Sequence, residues 1–167
     1  IPFGALRAHR PRPHHAPGRD LQRLVFTPRA ARRRGWHLNV HHLKTLQQAF
    51  QEVSPLICYS IKTNGNTHIC RLMQEHGSGF DVTSAGELFR ALHAGGTGDK
   101  IVFAGAGKSD DEIKMGLEAK VRMFNVESEP ELEAINRVAE KLNVTAQVAF
   151  RVNPDVDPKT HPETSTG

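Results

Sequence analysis

The chain has 167 residues, 38% hydrophobic and 24% charged, an ordinary composition with enough length for one domain that has its own core. No run of 18 apolar residues occurs and Ile1 to Arg10 carry no hydrophobic signal core, so neither a membrane span nor secretion is expected. The formal charge of +4 is uneven: nine arginines and one aspartate give the first 34 residues +8, while the remainder sets 13 basic against 17 acidic residues, which argues against a nucleic-acid-binding fold.

In chain order, residues 1–36 combine those arginines with Pro2, Pro11, Pro13, Pro17 and Pro28 and leave no periodic apolar face to bury. They are expected to be disordered and separate from a domain over 37–167. An amphipathic helix, LKTLQQAF, is expected at Leu43 to Phe50. From Leu56 onward, five apolar runs begin near Ile57, Phe80, Ile101, Met123 and Val148, and three- or four-residue apolar spacing fills the gaps between them. That alternation is the pattern of βα units on a parallel sheet, in a (β/α) barrel or a doubly wound sheet. A leucine-rich solenoid has a similar period, but its leucine consensus is absent.

Three of the helices open with Ser followed three residues later by Glu: Ser84 and Glu87, Ser109 and Glu112, Ser128 and Glu131. This is the capping-box signature, in which each side chain satisfies the other residue's free N–H. Gly77 and Gly95 supply left-handed stops after two helices. Cys58 and Cys70 fall in a strand and a helix, fit no metal-ligand spacing, and read as buried thiols in a reducing compartment. His68, His76 and His93 read as surface residues with no metal spacing.

The segment GAGKS at Gly105 to Ser109 follows a strand and opens a helix, as a phosphate loop does. A phosphate loop needs a glycine at position 102, which is Val102, so the segment reads as a strand-to-helix turn capped by Ser109. Lys62 ends an otherwise apolar strand, which places an ammonium at the carboxyl edge where barrel enzymes carry their chemistry. A partly desolvated lysine there can lose its proton readily enough to attack an aldehyde, whereas a lone strand-end lysine is more often simply solvated.

Five blocks resemble, in order and spacing, the alanine-racemase-like barrel of the pyridoxal-phosphate-dependent decarboxylases of ornithine, arginine and diaminopimelate. They are YSIKTNGN (Tyr59 to Asn66), GSGFDVTSAGEL (Gly77 to Leu88), IVFAGAGKS (Ile101 to Ser109), FNVES (Phe124 to Ser128) and FRVNPDVDPKTHPETSTG (Phe150 to Gly167). The last block favours the diaminopimelate branch. The resemblance covers roughly Leu43 to Gly167. It implies an α/β fold, a partial (β/α)8 TIM barrel with about five of eight units present, and pyridoxal 5'-phosphate as cofactor.

By that resemblance Lys62 is the cofactor-bearing lysine, Asp81 and Arg151 belong to the cofactor side of the site, and Glu87, His161 and Ser165 line it. Glu87 also has its capping reading, and Arg151 suits orienting other groups better than performing chemistry. Thr63 departs from the usual alanine. Val25 to His42 departs from the strand that precedes the first helix in the family, only Thr27 and Pro28 fitting, so residues 1–36 are alternatively foreign to the family.

The implied activity is decarboxylation of meso-diaminopimelate to L-lysine by a cytoplasmic homodimer that contacts an amino-acid substrate and neither nucleic acid nor membrane. Related decarboxylases of ornithine, arginine or carboxynorspermidine, and a non-catalytic barrel homologue, are the alternatives. Five strands cannot close an eight-stranded barrel, so this chain alone is expected to be inactive, with Val82, Val102 and Val148 facing an uncovered interior.

Overall fold

The computed structural model describes residues 37–153, so the readings placed on residues 1–36 and on His161 and Ser165 lie outside the described residues. The elements alternate strictly after an initial helix. They are α1 (His37–Ala49), β1 (Cys58–Ser60), α2 (Thr67–Glu75), β2 (Gly79–Val82), α3 (Ala85–His93), β3 (Ile101–Phe103), α4 (Asp110–Glu118), β4 (Met123–Val126), α5 (Glu129–Leu142) and β5 (Val148–Phe150). Each strand falls within one of the five apolar runs.

All strand pairs are parallel, and the sheet order is β1-β2-β3-β4-β5. A doubly wound sheet would reverse its strand order at a switch point. The unbroken order, with each of α1 to α4 packing against the next helix, makes the chain an arc of a barrel and decides between the two architectures left open by the sequence.

Register sorts the strand side chains onto two faces. Tyr59, Phe80 and Ile101 lie in one row and Val82, Phe103 and Phe124 in the next; all are buried beneath the helices. Burying each large side chain contributes roughly 1.5–3 kcal/mol. The Phe103 and Phe124 rings stack at 5.7 Å, and Gly116 of α4 lies so close that an added Cβ would sit 2.7 Å from Phe124. The opposite face carries Ser60, Asp81, Val102, Met123 and Asn125, all half-buried.

This parity corrects one expectation. Val82 is fully buried on the helix-covered face, because it pairs in register with Phe103, and Val148 pairs with Phe124 on that same face. Of the three valines only Val102 faces the open side.

The helix ends follow local chemistry. In α2 and α3, Gly77 (φ 87°) and Gly95 (φ 97°) are the left-handed stops that the sequence indicates. Ser78 N donates to Met73 O and Gly96 N to Ala91 O, closing Schellman motifs. The ends of α4 and α5 do the same with Lys120 (φ 54°) and Asn143 (φ 52°) in place of glycine.

Of the three expected capping boxes, only that of Ser109 and Glu112 is complete. Glu87 reaches one residue further back, accepting from Thr83 N at 2.7 Å, and Glu131 likewise accepts from Glu127 N at 2.8 Å. Ser128 makes no side-chain cap bond.

Candidate functional site

The loops that leave the carboxyl ends of the strands form one rim. The first holds Lys62 on a 3-10 turn, Ile61–Thr63, immediately past the end of β1 and not within the strand itself. Ile61 is buried and anchors the turn, while Lys62 is exposed and makes no hydrogen bond or ion pair among the described residues. Thr63, the departure from alanine, has a use here: its Oγ1 donates to Ser60 O at 2.7 Å and closes the turn. Tyr59 Oη donates to Asn64 O at 3.0 Å, and Asn66 caps α2 by accepting from His68 N at 2.9 Å.

Asp81 lies in register beside Ser60 on the open face, half-buried. Burial pushes the neighbouring Cys58 thiol above its ordinary pKa, and the Asp81 charge adds to that rise. Cys70 is buried in α2 and Cys58 only partly so. Of the histidines read as surface residues, His68 and His93 are exposed, whereas His76 is half-buried with Nδ1 at 2.9 Å from Leu72 O.

Glu87 serves the turn after β2: its Oε2 accepts from both Thr83 N and Thr83 Oγ1. Arg151 follows β5, its N donating to Val126 O, and its guanidinium lies 3.2 Å from Glu127 Oε2 on the exposed rim. Lys62 and Asp81 thus share one end of adjacent strands, whereas Arg151 stands at the far strand and Glu87 serves its own turn.

Side chains tie each rim loop to the next. Arg90 of α3 donates to Gly65 O in the first loop, and Ala85 N at the start of α3 donates to Glu112 Oε1 of α4. From the third loop Lys108 reaches Asn125 O at 2.7 Å and Glu131 Oε1 at 3.0 Å, and it also donates to Gly105 O in its own loop. Three acceptors satisfy all three ammonium hydrogens, which is what lets a lysine be buried. Burial raises the Glu131 carboxyl pKa, but the bonds from Glu127 N and Lys108 outweigh it and hold the group below the usual carboxylate range. Sequence reasoning treated Lys108 only as part of a turn, and no spacing signal links it to Glu131.

Residues 39–167 match the pyridoxal-binding domain of the pyridoxal-dependent decarboxylases. The chain belongs to that family. Among curated members of the pyridoxal-dependent decarboxylases, the diaminopimelate decarboxylase of Neisseria meningitidis serogroup A is 49% identical over 147 residues, covering 84% of this chain and 36% of that protein. The Vibrio cholerae diaminopimelate decarboxylase is 44% identical over 153 residues, 89% of this chain and 35% of that protein. The chain therefore spans about a third of the length of the curated relatives it matches.

Among solved structures, the Helicobacter pylori diaminopimelate decarboxylase complexed with L-lysine superposes with a TM-score of 0.65 and 46% identity, over 67% of this chain and 28% of that one. The arginine decarboxylase of Paramecium bursaria Chlorella virus, at 19% identity and a TM-score of 0.60, shares the fold alone.

Pyridoxal phosphate is the cofactor of this domain, and the residues present fit the end of it that a lysine holds. Lys62 offers an amine without a partner among the described residues, at the barrel end where ligands bind. On β1, two residues earlier, Ser60 Oγ is a buried oxygen with no hydrogen-bond partner among the described residues.

Proposed function

We propose that this chain is the lysine-bearing part of a diaminopimelate decarboxylase, releasing CO2 from meso-diaminopimelate to give L-lysine. The observation that carries this reading is identity of 44–49% to named diaminopimelate decarboxylases, against 19–23% to arginine, lysine/ornithine and lysine decarboxylases of the same fold. On this reading the assembly is a cytoplasmic homodimer acting on an amino acid, and a boundary falls near residue 36, supported by a family match that begins at residue 39.

When bound, the pyridine ring takes up the electron pair left as CO2 departs. The chain's own residues prepare that step. Lys62 supplies the amine that links the cofactor's aldehyde to the protein, and its four-carbon stem on a pinned turn lets it yield to a substrate amine and return. Asp81, in register with Ser60 on the neighbouring strand, adds a carboxylate to the cofactor side of the site. Glu87 braces the turn after β2 through Thr83 and is the lining residue on that loop. Arg151, held by Glu127, orients the rim after β5, and His161 and Ser165, outside the described residues, are assigned to substrate lining by family resemblance alone.

The test uses a full-length enzyme carrying this segment. CO2 release should be strongest with meso-diaminopimelate among that amino acid, ornithine, arginine and carboxynorspermidine. Lys62→Ala and Lys62→Arg should both abolish turnover and the borohydride-trapped cofactor adduct, since a guanidinium stays protonated. Preference for another of the four substrates would move the assignment within the family, and a trapped adduct in either variant would assign the wrong lysine.

A further inference from the structure

Ser60 is where the described structure leaves a side chain unexplained. Its Oγ is the one buried side-chain nitrogen or oxygen among the described residues without a hydrogen-bond partner. The fold satisfies buried hydroxyls elsewhere: Ser78 Oγ, equally inaccessible, bonds to Ile57 O at 3.0 Å and Gly79 O at 2.8 Å. Nor does Ser60 spend its hydroxyl as a cap, although it is the N-cap residue of the 3-10 turn that carries Lys62. Its carbonyl serves that turn instead, through Thr63.

A buried hydroxyl without a partner is destabilising relative to alanine of the same backbone, and a partner that binds later would offset that cost. Three placements say what that partner is. Ser60 is two residues before Lys62; it shares the open face of the sheet with Asp81, its register partner; and that face stands opposite the helix-covered core to which Tyr59 and Ile61 contribute. The hydroxyl therefore belongs to the sheet face and strand end from which the Lys62 turn departs, and the proposed function assigns the cofactor to that end.

We propose that Ser60 is a further cofactor-binding residue, whose hydroxyl donates a hydrogen bond to a polar acceptor of the pyridoxal group that Lys62 carries. The inference rests on the proposed function for the identity of that group. It adds a contact from within β1, independent of the lysine link and of the rest of the barrel. A hydroxyl there also biases which protonation state of the bound group is favoured, because a donor stabilises the form with the more negative acceptor.

The experiment uses the full-length enzyme stripped of cofactor and reloaded with pyridoxal 5'-phosphate, comparing wild type, Ser60→Ala and Ser60→Thr. Loss of one hydrogen bond is expected to raise the cofactor dissociation constant about tenfold in Ser60→Ala. The pH midpoint of the bound cofactor's visible band should shift as well. The melting temperature of the cofactor-free Ser60→Ala protein should be equal to or above wild type, because the orphaned hydroxyl is gone. Ser60→Thr, which keeps the hydroxyl, should return the visible band and its midpoint toward wild type. Wild-type affinity and an unmoved midpoint in Ser60→Ala, with wild type loading normally, would overturn this inference and leave the proposed function standing. Failure of wild type itself to form a trapped adduct at Lys62 would overturn both.

Discussion

The ammonium of Lys108 lies 3.0 Å from Glu131 Oε1 with side chains only 2% and 5% exposed, joining the loop ahead of α4 to the first turn of α5. Lys108 Nζ also stands 5.9 Å from the Phe103 ring centroid, over the stacked Phe103 and Phe124 pair. The pair thus couples two rim loops to the aromatic core beneath them.

Removing one partner leaves the other charge buried and unpaired. Lys108→Ala and Glu131→Ala should each destabilise a full-length enzyme by about 3–5 kcal/mol. The double variant should lose clearly less than the two single losses together, since neither charge is then stranded. Urea unfolding of the four proteins checks this, and additive losses would show that the pair is not coupled.

Acid should weaken the rim before it reaches the apolar core. Hydrogen bonding from Ser109 N, reinforced by Ala85 N and Ser109 Oγ, holds the Glu112 carboxyl below its ordinary 4.5, and Glu131 is also lowered despite its burial. A carboxyl whose folded pKa lies below its unfolded value contributes stability that is present above the unfolded value and lost as pH falls through the folded one. Melting temperature should therefore be flat with respect to these groups above about pH 5 and decline below roughly 4.5. Glu112→Gln should reduce the steepness of that decline.

Two glycines should differ in what they tolerate. A Cβ on Gly98 would collide with the backbone carbonyls of Ala119 and Lys120, where the chain after α4 crosses the turn before β3. Gly98→Ala should cost about 2–3 kcal/mol, because backbone cannot move aside as a side chain can. Gly107 has φ 71° but nothing within 4 Å of an added Cβ, so only its backbone conformation is constrained. Asparagine tolerates that conformation, and Gly107→Asn should cost less than about 1 kcal/mol. Thermal melts of the two variants separate steric from conformational demand.

Much of the fold is legible in the chain because strand cores and helix faces declare themselves through apolar periodicity; all five strands lie within the apolar runs. Which face a strand residue takes is less legible. Val82 looks like barrel lining until its pairing with Phe103 fixes its parity, and parity depends on register between strands some 20 residues apart. Capping is legible only as chemistry: the Ser–Glu spacing occurs three times, yet Glu87 and Glu131 bond one residue earlier than the motif requires. Lys120 ends its helix as glycine would with nothing in its side chain to announce it, whereas Asn143 is a residue type that tolerates the left-handed stop. At the site, Lys62 is visible from its position after an apolar strand, whereas Ser60 and the Lys108–Glu131 pair emerge only from three-dimensional accounting of polar partners.

Among the described strands each pairs only with its neighbours in sequence, so none of these contacts waits for a distant part of the chain. A growing polypeptide can add one strand and one helix at a time onto an existing edge, with each addition burying the apolar face left by the last. The rim clasps follow the same order, so Lys62 and its neighbours can reach their final loop geometry while later units are still being synthesised.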